Sequence, residues 1–221
     1  MSQHFLNMIR KGQTAEIAAA VEETPELARS CDAQGVSALL WSVYTQQPVI
    51  RDFLRLHAGE IDVFEAAALG DCERLHVLIA SDAMQARAVS ADGWPPLHLA
   101  AAFAGPEAVT LLIEHGAHIH QISHNALRNQ ALHACIALGN SVETIRLLIE
   151  AGADINATQA GGYSPLHQAA SAGKIEVAEL LLANGAKCEA LCDQGKTPAD
   201  YAHERYPELA QRLKPHSQPV A

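Results

Sequence analysis

The sequence predicts an all-α protein of stacked helix pairs, and three observations support this fold class. Alanine, the strongest helix former, provides 41 of the 221 residues, whereas aromatic residues make up only 5%. Similar segments recur every 33 to 35 residues through the C-terminal half. Each of these segments carries apolar residues at helical spacing on one face. A β-sandwich is disfavoured because it requires many β-branched and aromatic residues.

Two short motifs define the repeat. The first opens four segments, at residues 96–101, 131–135, 165–170 and 197–202. The second combines an aliphatic run with a following Gly-Ala pair, and it occurs at residues 111–117, 147–153 and 180–186. Because both motifs share one period, they indicate an internal repeat.

The local pattern predicts two helices in each repeat. Ser164 is placed to cap a first helix, and Pro165 takes the first helical position, where its missing N–H costs nothing. A second helix is expected from Ile175 until Gly185, which is suited to the left-handed conformation that ends a helix. One such pair cannot bury its apolar face alone, so the repeats must stack.

Residues 95–101 and 164–170 resemble the Thr-Pro-Leu-His-x-Ala-Ala signature of the ankyrin repeat. The resemblance is strong from about residue 91 to residue 201 and weaker before. It implies a solenoid in which each repeat is a β-hairpin or turn, called a finger, followed by two antiparallel helices. It also implies that His98, His133 and His167 hydrogen-bond between neighbouring turns, and that a concave face and the finger tips bind other proteins.

The N-terminal half is predicted to contain weaker copies of the same repeat. Only 24 residues separate Leu40 from Phe64, which occupy equivalent positions, so the finger before Val63 is expected to be missing. We predict one array of about six units over residues 1–214, with a seam and a change of curvature near 57–66. Residues 215–221 are expected to form a polar C-terminal tail.

Composition limits the partners. The formal charge of −10 disfavours nucleic acid, and no apolar run is long enough for a membrane helix. Five scattered cysteines, an odd number, indicate reduced thiols and a cytoplasmic location. We expect a chain that is monomeric alone and binds another protein.

No motif for catalysis, for a cofactor or for a metal is predicted, so we expect no enzyme activity. One alternative involves His115, His118, His120 and His124. If residues 117–121 are extended, His118 and His120 face the same side and favour a metal-binding sensor or a small metal-dependent enzyme. A structural subunit of a larger assembly is a second alternative.

The partner-binding prediction depends on side chains at finger tips and on first helices. These candidates are Asp92, Trp94, Phe103, Arg128, Asn129, Leu138, Tyr163 and Lys196. Four large apolar members from three successive repeats are expected to form one strip, although Trp94 and Phe103 could instead pack across repeat junctions. Arg128 stands where a turn glycine is expected, in a finger that is about two residues longer. The sequence therefore predicts a non-catalytic protein-interaction module.

Overall fold

A computed structural model of the chain describes residues 2–139, 141–203 and 205–214. These residues form seven successive helix pairs. Sequence analysis predicted about six units, some of them incomplete. The tail predicted at 215–221 lies outside the described residues.

The helices are short, and most consist of two or three turns. In chain order they are α1 (Gln3–Arg10), α2 (Thr14–Glu23), α3 (Ala38–Tyr44), α4 (Pro48–His57), α5 (Val63–Leu69), α6 (Cys72–Ser81), α7 (Pro96–Leu99), α8 (Pro106–Glu114), α9 (Ala131–Leu138), α10 (Val142–Glu150), α11 (Pro165–Ser171), α12 (Ile175–Ala183), α13 (Pro198–Ala202) and α14 (Pro207–Arg212). Two 3₁₀ turns, Pro25–Arg29 and Ala83–Arg87, follow α2 and α6. A π-helical turn, Ala100–Ala104, continues α7.

Side-chain caps fix where many first helices begin. The Ser164 hydroxyl accepts the N–H of His167 at 3.4 Å, as the sequence predicts. Thr197 and Asp200 form a reciprocal capping box at the start of α13. Asp62 and Glu65 form another at α5, where Asp62 follows α4 closely. These caps satisfy backbone donors that a short helix leaves open.

The helices stack in register along the array. The first helix of each pair contacts the first helix of the next, from α1 to α13, with the π-helical turn participating between α5 and α9. Buried apolar side chains form one cluster that extends from Phe5 to Leu213. Alanines such as Ala100 and Ala169 are fully buried on the first helices, where small side chains permit close approach.

Five fingers project from the array, and each is a tight turn. Backbone hydrogen bonds close them at residues 32–36, 90–94, 123–129, 159–163 and 192–196. The resemblance implied β-hairpins as one possibility, but in the described residues the only strand-type pairing near a finger is an isolated bridge between Cys31 and Ser37. The segment between α4 and α5 has no finger, in agreement with the short spacing between Leu40 and Phe64.

Neighbouring fingers are joined by backbone hydrogen bonds. The N–H of His124 donates to the Gly93 carbonyl at 2.8 Å, and that of Ala160 donates to the Leu127 carbonyl at 2.9 Å. The N–H of Asp193 donates to the Gly161 carbonyl at 3.0 Å. The last four fingers therefore form a continuous row beside the first helices. No helix in the described part of the chain has the length and apolar character needed to cross a membrane.

Candidate partner-binding surface

Three motif histidines join each first helix to the finger of the next repeat. The Nε2 atoms of His98, His133 and His167 lie 2.9, 3.3 and 3.1 Å from the backbone carbonyls of Asn129, Tyr163 and Lys196. Because a carbonyl only accepts, each Nε2 carries the proton. The arrangement holds the fingers in place on the stacked helices, as the motif implied.

Burial keeps these histidines uncharged. It lowers the pKa of His98 and of His133 to about 4, although their hydrogen bonds to backbone carbonyls act in the opposite direction. Burial also lowers the pKa of His167. Neutral, buried imidazoles that donate to backbone carbonyls are structural groups, and they supply no exposed general base.

A cleft beside the first helices has a volume of about 600 Å³, and we call it the first-helix groove. Its lining includes Ser42, Gln46, Arg51, Ala68, Phe103 and Leu138. Leu138 is 41% exposed, and the half-buried Phe103 ring lies 5.6 Å from the Tyr44 ring. A cleft lined by both apolar and polar side chains suits a protein partner.

The π-helical turn positions Phe103 in this groove. The N–H of Gly105 donates to the Ala100 carbonyl, five residues earlier, at 3.1 Å. The extra residue in the turn shifts the following side chains around the helix axis. Pro106 then begins α8 directly after Gly105.

A second cavity of about 400 Å³ lies further along the row, and we call it the tyrosine pocket. It is lined by Ala137, Gln159, Tyr163, His167, Gln168, Ser171, Ala172 and Tyr201. The Tyr163 and Tyr201 rings meet edge to face with centroids 5.5 Å apart, and their hydroxyl oxygens are 3.1 Å apart. The structure therefore places Tyr163 in a different cavity from Phe103 and Leu138.

Comparison with known proteins decides the family. Residues 63–159 and 132–219 match the family described as ankyrin repeats (3 copies). The two matches together extend over more than half of the chain. The chain belongs to the ankyrin-repeat family. It is a protein-interaction module built from these repeats.

Named relatives match part of the array. Protein phosphatase 1 regulatory subunit 27 from Homo sapiens is 38% identical over 84 residues, which are 38% of this chain and 54% of the relative. Protein phosphatase 1 regulatory subunit 12A from Mus musculus is 39% identical over 87 residues, or 39% of this chain and 8% of the relative. The B-cell lymphoma 3 protein homolog from Mus musculus is 32% identical over 114 residues, or 52% of this chain and 25% of the relative. The chain therefore spans about half or less of each relative.

The remaining predicted contacts lie on ankyrin fingers. Arg128 and Lys196 are exposed, and Asp92 is half-buried and accepts the Ser90 hydroxyl at 2.6 Å. Trp94 packs on the core, with its ring 5.9 Å from that of His98 in the same repeat. Only part of the Trp94 side chain is therefore available to a partner.

Asn129 requires a correction, because its side chain is only 2% exposed. Its Oδ1 accepts the Ser123 hydroxyl at 2.8 Å, and its backbone N–H donates to the same Ser123 oxygen at 3.0 Å. Its carbonyl accepts from His98. Asn129 therefore closes the irregular ankyrin finger and does not face a partner.

The proposed histidine cluster also differs from expectation. Residues 117–121 are not extended, because the N–H of Gln121 donates to the His118 carbonyl at 3.0 Å and closes a turn. The alternation that would place His118 and His120 on one side is therefore absent. In the described residues, no three His, Cys, Asp or Glu side chains come together in a way that could hold a metal ion.

Sequence reasoning missed the pairing of Tyr201 with Tyr163. Tyr201 lies on α13 in the last repeat, 33 residues after Gln168. The repeat period was therefore a signal that Gln168 and Tyr201 occupy equivalent positions and lie beside each other on stacked first helices. It could not indicate that Tyr163, on the preceding finger, would reach the same place.

Proposed function

We propose that this chain acts without catalysis, by holding a protein partner in the first-helix groove and against the finger tips. The observation that carries the proposal is the groove itself, in which the exposed Leu138 and the half-buried Phe103 share one cleft. These residues belong to α9 and to the π-helical turn, so successive repeats build one surface. A surface that is already ordered lowers the entropy cost of association.

The chemistry of the histidines supports a binding role over a catalytic one. His98, His133 and His167 direct their Nε2 protons to backbone carbonyls and are buried. A general base must instead reach a substrate proton with an open nitrogen. The three histidines that recur with the repeat period therefore hold the fingers in place.

We propose that different ankyrin-repeat proteins bind different partners. Two relatives are named as protein phosphatase 1 regulatory subunits and a third as a B-cell lymphoma 3 homolog. Because these names differ while the repeats are alike, specificity would come from the variable grooves and fingers. The candidate contacts in this chain are Asp92, Trp94, Phe103, Arg128, Leu138, Tyr163 and Lys196.

We further propose that the protein works in the cytoplasm as a monomer that associates with its partner. The support is compositional, since a chain with net charge −10 is protected from self-association by charge repulsion. Sedimentation of the purified chain at several concentrations checks the monomer. A concentration-dependent increase in mass would contradict it.

The groove is tested by placing a charge in it. Leu138→Asp puts a carboxylate where an apolar partner surface would bind, so we expect at least about a tenfold loss of specific partner. The measurement is affinity capture from the source cells, with each captured protein quantified by mass spectrometry.

Leu56→Asp is the matched control. Leu56 is 81% exposed on the second helix α4 and is absent from the lining of the groove. It changes the same residue type and charge, so it should leave capture unchanged. Equal recovery of every specific protein by wild type and Leu138→Asp would reject the groove as the binding site.

A further inference from the structure

The tyrosine pocket is assembled by three successive repeats. Ala137 comes from α9, Tyr163 and Gln168 come from the next finger and its first helix α11, and Tyr201 comes from α13. The His167 ring also contacts Tyr201, with centroids 5.9 Å apart. Three aromatic rings therefore border one cavity of about 400 Å³. Aromatic rings attract cations through the negative potential of their faces.

Hydrogen-bond acceptors in the pocket lack donors. The side-chain oxygens of Gln159 and Gln168 are buried and make no hydrogen bond. A buried acceptor without a donor is costly, and both side chains have rotatable bonds that can turn the oxygen towards a ligand. The pocket therefore suits a ligand that is rich in N–H groups.

The charge near the pocket favours a cation. His167 adds no positive charge at neutral pH, because burial lowers its pKa. Asp193 is exposed on the adjoining finger, and the whole chain has a formal charge of −10. Lys196 is a nearby cation that opposes a second, and its Nζ lies 5.6 Å from the centre of the Tyr201 ring. Because Lys196 is exposed, a cationic ligand that binds the Tyr201 ring more tightly can displace the Lys196 ammonium from it.

We propose that the tyrosine pocket binds an arginine side chain of the partner protein. This inference rests on the proposed protein-binding function and names the chemistry of one contact. A guanidinium is planar, stacks on aromatic rings and offers five N–H donors, so it matches both the rings and the two glutamine oxygens. A lysine ammonium offers three donors around a point charge and matches this set less well.

The test uses small probes and the tyrosine spectrum of the full chain. The sequence contains four tyrosines, so ¹³C-tyrosine labelling gives a spectrum that Tyr→Phe variants can assign. N-acetyl-arginine amide should shift the Tyr163 and Tyr201 signals saturably at millimolar concentration and leave the Tyr206 signal in place. N-acetyl-citrulline amide has nearly the same shape without the charge, so it should bind at least about tenfold more weakly.

Two variants locate the effect within the pocket. Gln168→Met keeps the volume and removes the amide oxygen, so arginine affinity should fall by about threefold or more. Lys196→Ala removes the competing cation and should raise the affinity by about threefold. An unchanged Tyr206 signal in the absence of the probes shows that the last repeats of each variant remain folded.

The outcomes separate this inference from the proposed function. Equal shifts with the arginine and citrulline probes, or arginine affinity unaffected by Gln168→Met, would overturn the arginine pocket. In that case capture of the partner by wild type and its loss in Leu138→Asp would still support the groove. Equal capture by wild type and Leu138→Asp, with a functioning arginine pocket, would instead count against the first-helix groove alone.

Discussion

Equivalent histidines differ in the partner of their second ring nitrogen. The Nδ1 atom of His167 lies 2.8 Å from the Ser164 hydroxyl oxygen. The Nδ1 atoms of His98 and His133 are buried and make no hydrogen bond. The reason is the residue at the helix start, since Pro95 and Gln130 replace the serine in those repeats. The motif thus conserves one hydrogen bond of the imidazole and leaves the other to the local sequence.

The depressed pKa values predict acid sensitivity. Folded His98 and His133 have pKa values of about 4, against an ordinary value of 6.5. Between these values the unfolded chain binds a proton that the folded chain does not, so stability is complete above pH 6.5 and falls as the pH falls towards 4. We expect each histidine to cost about 2 kcal/mol of unfolding free energy between about pH 7 and pH 5. Urea unfolding at both pH values, followed by tryptophan fluorescence, measures the loss.

Variants assign this loss to a residue. His98→Gln keeps an N–H that can donate to the Asn129 carbonyl but does not titrate, so its loss between the two pH values should be smaller by about 2 kcal/mol. His118→Gln changes an exposed ring and should keep the wild-type loss. If His98→Gln lost as much stability as wild type, His98 would not be a source of the acid sensitivity.

At the scale of elements, helices were more predictable from the sequence than turns. Ser164, Ile175 and Gly185 mark the ends of α11 and α12 because capping and periodicity are local properties. The π-helical turn at Ala100–Ala104 was not predictable, because its alanine-rich sequence suits an ordinary helix equally well. Its form accompanies packing of Phe103 on Tyr44, a residue far away in the chain. The buried position of Asn129 likewise depends on Ser123, six residues earlier in the same finger.

The irregular finger contains a strained residue that the sequence identified. Arg128 occupies the position of a turn glycine and has a φ of +47°. In this left-handed region a side chain with a Cβ atom costs about 1 kcal/mol. Arg128→Gly should therefore raise the unfolding free energy by about that amount, as measured by urea titration.

The matched control is Arg128→Ala, which removes the guanidinium but retains the Cβ atom. It should give no comparable gain in stability, because the strain persists. If Arg128 contacts the partner, both variants should weaken binding while only the glycine variant is stabilised. Equal stability of the two variants would show that the finger is not strained at this residue.

At the scale of the whole molecule, the row of fingers continues past the repeat that has none. Gly35 of the first finger has a φ of +85°, and a Cβ atom added there would lie 2.9 Å from the Ala91 side chain of the next finger. These fingers belong to repeats that are separated by the pair α5 and α6. We therefore propose that the array over 1–214 is continuous and bends near 57–66, so that the two finger tips converge. Sequence spacing predicted the missing finger, whereas this contact depends on the three-dimensional stacking.

Substitution of Gly35 tests the convergence. Gly35→Ala places an alanine in the left-handed conformation, which costs about 1 kcal/mol. It also creates a contact with Ala91 that is too short to retain, so we expect a total loss of about 2 kcal/mol in unfolding free energy. Gly195→Ala is the matched control, because Gly195 has a φ of +70° at the same place in the last finger and nothing within 4 Å of the added atom. It should lose only the backbone contribution of about 1 kcal/mol.

A compensating change distinguishes the contact between fingers from strain within one finger. Ala91→Gly removes the side-chain atom that the new Cβ would meet. In the Gly35→Ala background, Ala91→Gly should therefore be more favourable to the unfolding free energy, by about 1 kcal/mol, than the same substitution is in wild type. Such coupling requires the two fingers to touch, because local backbone strain at Gly35 does not depend on residue 91. Additive losses in the double variant, together with equal losses for Gly35→Ala and Gly195→Ala, would contradict both the contact and the proposed bend at the fingerless repeat.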